Sequence, residues 1–193
     1  MLTAGGGSFG QRVAAVVRLE PDVFREIGGD VDATGQALAV VALAAIANGI
    51  GHGNEGLDGA LLAVVSAVVG WVAFSIFAWL VGSAFAPGSG ATLGRVFRLI
   101  GFAQAPKLIG ALAFLPLVGW LFGLAGALLF LVVAVAALRS AFGVGLPRAL
   151  LIGLVALVAS EFVLWVLRVA LHLGGAVLGA FGALFGRLFG LGG

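Results

Sequence analysis

Three polar side chains, Gln104, Lys107 and Glu161, stand inside long apolar stretches of this sequence, and they bound the chemistry the chain can attempt. A carboxylate within a membrane-length helix costs about 2.5 to 3.5 kcal/mol on insertion scales unless a partner compensates it. Glu161 lies thirteen residues beyond Arg148, about 20 Å along a helix axis, and Lys107 lies twelve beyond Arg95, about 18 Å. The similar depths predict that Glu161 and Lys107 pair inside a helical bundle, with Gln104 one turn from Lys107 on the same face. Such a pair acts either as a packing specifier or as part of a proton or ion relay. A Lys107 that snorkels toward the near edge would instead leave Glu161 protonated.

Four residues of the last apolar segment, Glu161, Trp165, Arg168 and His172, share one stripe, since offsets of four, seven and eleven return within about 40° on a helix. Arg168 and His172 suit contact with an anionic lipid headgroup or plain interfacial anchoring beside Trp165. His172 has no companion motif that would make it an axial ligand to a pigment. His52 sits with Asn54, Glu55 and Asp58 in a Gly-rich loop whose spacing matches no metal motif, so neither metal nor cofactor is expected. Cysteine is absent, which removes thiolate ligands, disulfides and a Cys nucleophile. The sequence contains no HExxH, GxSxG, P-loop or Gly-x-Gly-Asp pattern, and enzymatic activity is not expected.

The elements that must position these residues follow from composition. With 62% hydrophobic and 9% charged residues, and a mean hydropathy of +1.24, the chain has too little polar surface to cover a water-soluble particle of 193 residues. The expected fold is all-α, a polytopic membrane bundle of five transmembrane helices preceded by short amphipathic interfacial helices. Residues 1–30 form the amphipathic segment, 31–174 the five-helix domain and 175–193 a Gly- and Phe-rich tail. Pro21 suits the first turn of the second amphipathic helix and Gly28-Gly29 its end. Spans are expected over about 33–50, 59–85, 92–115, 120–138 and 148–173, with Thr92 capping the third and Pro106 kinking it. No cleaved leader is expected, because residues 1–12 lack an apolar core. Gly119 and Gly123, and in the tail Gly182, Gly186 and Gly190, make small-xxx-small faces suited to close helix packing.

Basic residues gather on one side of the expected spans. Arg12, Arg18 and Arg25, then Arg95 and Arg98, then Arg139 and Arg148, fall in the N-terminal segment and in alternate connections. The first-to-second loop holds Glu55 and Asp58 without Lys or Arg, and the third-to-fourth turn carries no charge. The positive-inside rule then puts the N-terminus in the cytoplasm and, with five spans, the C-terminus outside. A six-span arrangement would carry Arg187 into or near the hydrocarbon. The scattered basic residues, net charge +2, form no nucleic-acid footprint.

The segment Leu19-Glu20-Pro21-Asp22-Val23-Phe24-Arg25-Glu26-Ile27, then Ala33-Thr34-Gly35-Gln36-Ala37, Leu99-Ile100-Gly101-Phe102-Ala103-Gln104-Ala105-Pro106 and Arg148-Ala149-Leu150 together resemble the Yip1 family, in particular its bacterial members. The third of these matches the family's Gly-aromatic-x-x-x-Pro pattern. The resemblance covers about residues 19–170 and implies a five-helix bundle with a cytoplasmic N-terminus in a bacterial inner (cell) membrane, without enzymatic activity. The Asp-Leu-Tyr-Gly-Pro-like motif of eukaryotic members is missing, which weakens any transfer of Rab-GTPase binding or vesicle-traffic roles to this chain. The expected role is a non-enzymatic membrane protein that organises membrane or assembles with membrane partners or with itself. A small transporter or channel using Gln104, Lys107 and Glu161 is the alternative. Inverted repeats would favour it.

Overall fold

A computed structural model describes residues 8–51 and 56–189, and among them every regular element is helical. The order is α1 (Phe9–Val17), α2 (Pro21–Gly29), α3 (Ala33–Gly51), α4 (Gly56–Phe85), α5 (Leu93–Ala103), a 3-10 stretch (Ala105–Phe114), α6 (Gly119–Phe142) and α7 (Leu146–Phe189). Four stretches are long and apolar enough to cross a membrane: Val64–Phe85, Leu93–Phe114, Gly119–Phe142 and Leu146–Ala170. A fifth is reached when α2 and α3 are taken together as one bent span; the 19 residues of α3 rise about 28 Å, close to the hydrocarbon thickness of about 30 Å. Helix α3 leaves α2 at a bend of 116°. The protein is an integral membrane bundle of helices.

The two N-terminal helices form where their sequence predicts. Leu19 ends α1 in the left-handed conformation, φ 60°, with Leu19 N–H donating to Val16 O and Glu20 N–H to Ala15 O, each at 3.0 Å. This is the Schellman arrangement, adopted here by a residue with a Cβ. Pro21 then opens α2 at a position that needs no N–H donor. The apolar stripes of α1 and α2 meet the bundle itself. Val16, Phe24 and Ile27 are buried in one core with Leu99, Ile100 and Phe102 of α5, Val40 of α3 and Leu138 of α6. Burying each such side chain from water is worth about 1.5 to 3 kcal/mol. Helical periodicity alone describes the stripe but not whether lipid or protein covers it.

Inside the bilayer, close packing replaces that drive, because lipid tails are as apolar as leucine. One tight helix crossing is α3 on α5. A Cβ on Gly101 would lie 2.6 Å from the Ala37 Cβ, so only Gly permits this approach. Of the glycines expected to pack, Gly119 is buried, with the space for a Cβ 1.9 Å from the Ala113 carbonyl oxygen. Gly123 faces open space. Gly182, Gly186 and Gly190 lie outside the residues whose packing the structure describes.

Two helices run past the ends expected for their spans. The fourth span continues from Leu138 to Phe142 before Gly143, φ 63°, ends it. The fifth span, Leu146–Ala170, ends close to the expected residue, while the helix that carries it runs on: α7 is a single helix of 44 residues, about 66 Å long, that takes in the described part of the tail.

Candidate functional site

The third span breaks where the polar residues sit. Pro106 has no N–H to donate to the preceding turn, so α5 stops at Ala103 and the chain rewinds as a ten-residue 3-10 stretch. Gln104 caps α5, and its carbonyl accepts the Lys107 N–H at 2.9 Å. The tighter winding turns Lys107 onto α6, where its Nζ stands 3.8 Å from the centroid of the Phe130 ring. A desolvated contact of this kind is worth about 2 kcal/mol. Phe130 is held in turn by the edge of Phe74, centroids 6.4 Å apart.

Glu161 lies exposed on α7, within electrostatic range of Lys107 but with no ion pair to it within 4.0 Å among the described residues. The structure thus brings Lys107 and Glu161 into one neighbourhood and gives the ammonium an aromatic face as its near partner. Sequence depth pointed to a direct Lys107–Glu161 pair inside the bundle, which is not formed among the described residues. It carried no signal for Phe130, which is one Phe among fifteen. Three further polar groups lie within the helices unpredicted: Asn48, whose Nδ2 donates to Ala44 O at 2.8 Å; Ser160, buried, whose Oγ donates to Leu157 O at 2.9 Å; and Ser75, fully buried with no hydrogen-bond partner for its hydroxyl among the described residues. Arg168 and Trp165 are exposed on α7, and the Trp165 ring stacks on Phe162 at 6.2 Å. The side chain of His172 and the loop with His52 and Asn54 lie outside the described residues, as do the side chains of Glu55 and Asp58.

A second polar cluster stands at the end of the bundle carrying α1 and α2. Arg12 is only 4% exposed and binds three acceptors from other elements: Glu26 at 3.0 Å, Asp30 at 2.5 Å and Gln36 Oε1 at 3.1 Å. It ties α1 to α2, to the α2–α3 bend and to α3. The Arg12 hydrogen bond lowers the Asp30 pKa below the usual carboxylate value. Burial opposes this, while the Asp32 N–H, the Arg12 charge and the Ala33 N–H add to it. For Arg12, burial pulls the pKa down, but hydrogen bonds and charge from Asp30 and Glu26 outweigh it and the net shift is upward.

Arg95 and Arg98, one turn apart on α5, do what their sequence positions did not disclose. Arg98 donates to the carbonyls of Ile27 at 3.1 Å and Gly28 at 2.6 Å, two of the acceptors that α2 leaves open at its C-terminus. Arg95 donates to Ser140 O at 2.9 Å in the last turn of α6. Each guanidinium meets the negative end of a helix dipole. Charge counting reads these arginines as topology signals, and the structure adds that they clamp two helix ends. The available clue was an i, i+3 pair just after a capped start, together with a Gly-Gly helix end elsewhere that needed donors.

The comparisons with known proteins agree with this architecture. The family model described as Yip1 domain matches residues 15–168, from the last turn of α1 through the membrane span of α7. No curated protein matches the chain, and no solved structure does.

Proposed function

The chain belongs to the Yip1 family, and from that premise we propose that it is a non-enzymatic membrane protein whose work is to organise membrane or to assemble with membrane subunits or further copies of itself. The observation that carries the reading is where the polar chemistry is directed. Arg12, Arg95 and Arg98 each bind carboxylates or carbonyls of another element: Arg12 and Arg98 hold the α1–α2 layer onto the bundle, and Arg95 ties α5 to α6. Large apolar side chains, among them Leu128, Leu154 and Phe162, face outward along α6 and α7, as a protein that works through its lateral surface requires.

The proposed setting is a bacterial inner membrane with α1 and α2 on the cytoplasmic side, following the alternation of arginines. The sequence holds no cysteine, so single thiols report orientation cleanly. A thiol placed at Leu117, 93% exposed in the third-to-fourth turn, should react with an impermeant maleimide from outside. One at Ser89, in the α4–α5 turn, should react only after the membrane is opened. For function, purified protein in proteoliposomes should move neither protons nor alkali ions, while native mass spectrometry from mild detergent should show a defined oligomer or stoichiometric membrane subunits. Ion flux that stops on Glu161→Gln would overturn the reading.

A further inference from the structure

Seven arginines gather at the end of the bundle that holds α1 and α2: Arg12, Arg18, Arg25, Arg95, Arg98, Arg139 and Arg148. Five are engaged internally. Arg12, Arg18 and Arg25 pair with carboxylates, and Arg95 and Arg98 bind helix-end carbonyls. The exposed side chains of Arg139 and Arg148 meet no ion-pair or hydrogen-bond partner among the described residues.

Arg139 stands in the wall of an apolar groove of about 320 Å³ between α6 and α7. Below it on α6 come Val135, Val132 and Leu131, an i, i−4, i−7, i−8 stripe that runs about 12 Å into the bilayer. Leu146 and Leu150 supply the α7 wall, and the left-handed Leu19 stands among the lining residues from the α1–α2 turn. The groove thus has one fixed cation at its shallow end and hydrocarbon walls beyond it. Leu131, Leu146 and Leu150 are also partly open at the bundle surface, which gives the groove a lateral entry from lipid.

We propose that this groove is a binding site for an anionic phospholipid, its phosphate on the Arg139 guanidinium and the first part of one acyl chain along the α6 stripe. Charge complementarity selects the occupant: an unpaired guanidinium at the level of the headgroups fits a phosphate, and the dry walls fit the chain attached to it. Arg148 supplies the control. Two residues from both Leu146 and Leu150, it falls on the opposite side of α7, about 180° from the groove wall.

The test is native mass spectrometry on the full-length protein, delipidated in neutral detergent and titrated with phosphatidylglycerol or with phosphatidylcholine of the same chains. The wild type should retain phosphatidylglycerol in preference. Arg139→Ala should weaken that retention about fivefold, the share of one basic residue near a headgroup, and Arg148→Ala should leave it unchanged. Val135→Trp, which fills the groove while keeping both arginines, should weaken retention of both lipids, with an unchanged melting temperature showing that the fold survives. Undiminished phosphatidylglycerol retention in Arg139→Ala, an equal loss in Arg148→Ala, or undiminished retention in a folded Val135→Trp would each overturn the proposal.

Discussion

Replacing Arg12 by Met should release α1 from the bundle. The guanidinium is 4% exposed, and Glu26 and Asp30 keep 41% and 29% of their side-chain exposure. Removing one partner of a fully buried ion pair costs about 3 to 5 kcal/mol because the other charge is stranded. Here water can reach both carboxylates once the arginine is gone, so the loss falls nearer the 1.5 to 3 kcal/mol of hydrogen bonds to charged groups. Three acceptors lose their donor, and the undocking equilibrium should shift by about 2 to 3 kcal/mol, roughly 30- to 150-fold. Val16 provides the readout, since it is wholly buried on α1 and a cysteine there would be the sole thiol of the protein. Alkylation of Val16→Cys in detergent should accelerate by that factor in the Arg12→Met background. Arg25→Met, which removes an exposed pair with Asp22, should change the rate less than about threefold. Equal rates with and without Arg12, or the same acceleration from Arg25→Met, would refute the assignment of Arg12 as the anchor.

The same anchor makes a pH prediction. Asp30 has a folded-state pKa below its ordinary 3.8, so its contribution to α1 docking is complete above about pH 4 and is lost as pH falls through the lowered value. Val16→Cys reactivity, read with an acid-compatible disulfide reagent, should rise below pH 4, and Asp30→Asn should flatten that rise. In the membrane interior, a double-mutant cycle of Lys107→Met with Phe130→Leu should show coupling of about 1 to 2 kcal/mol, larger than the coupling of Lys107→Met with Glu161→Gln. Thermal-shift measurements in one detergent decide the order, and a larger Glu161 term would show that the ion pair dominates.

Much of the architecture was legible in the residues. Apolar runs, the Thr92 cap, the Pro21 start and the Gly28-Gly29 stop are local signals, each decided by backbone donors and acceptors within a turn or two. The alternation of arginines is also a linear property, and the resemblance to the Yip1 family rested on short segments read in order; the family match then covered residues 15–168. Sequence depth could set Lys107 and Glu161 at similar levels, because rise per residue is nearly constant in a helix, but not which group each one meets.

What tertiary structure alone decided is which groups meet. Periodicity could show that α1 and α2 have an apolar face, but only packing shows that Val16, Phe24 and Ile27 press into the bundle. Pro106 announced a break, while the choice of Phe130 as the partner of Lys107 depends on the ten residues of 3-10 winding that follow. The separation between Arg98, capping α2 across 70 residues of chain, and Arg139, left unpaired beside an apolar groove, is invisible in composition. Local order follows from bonds a helix makes with itself, whereas pairing across helices depends on crossing geometry, which no single stretch of sequence contains.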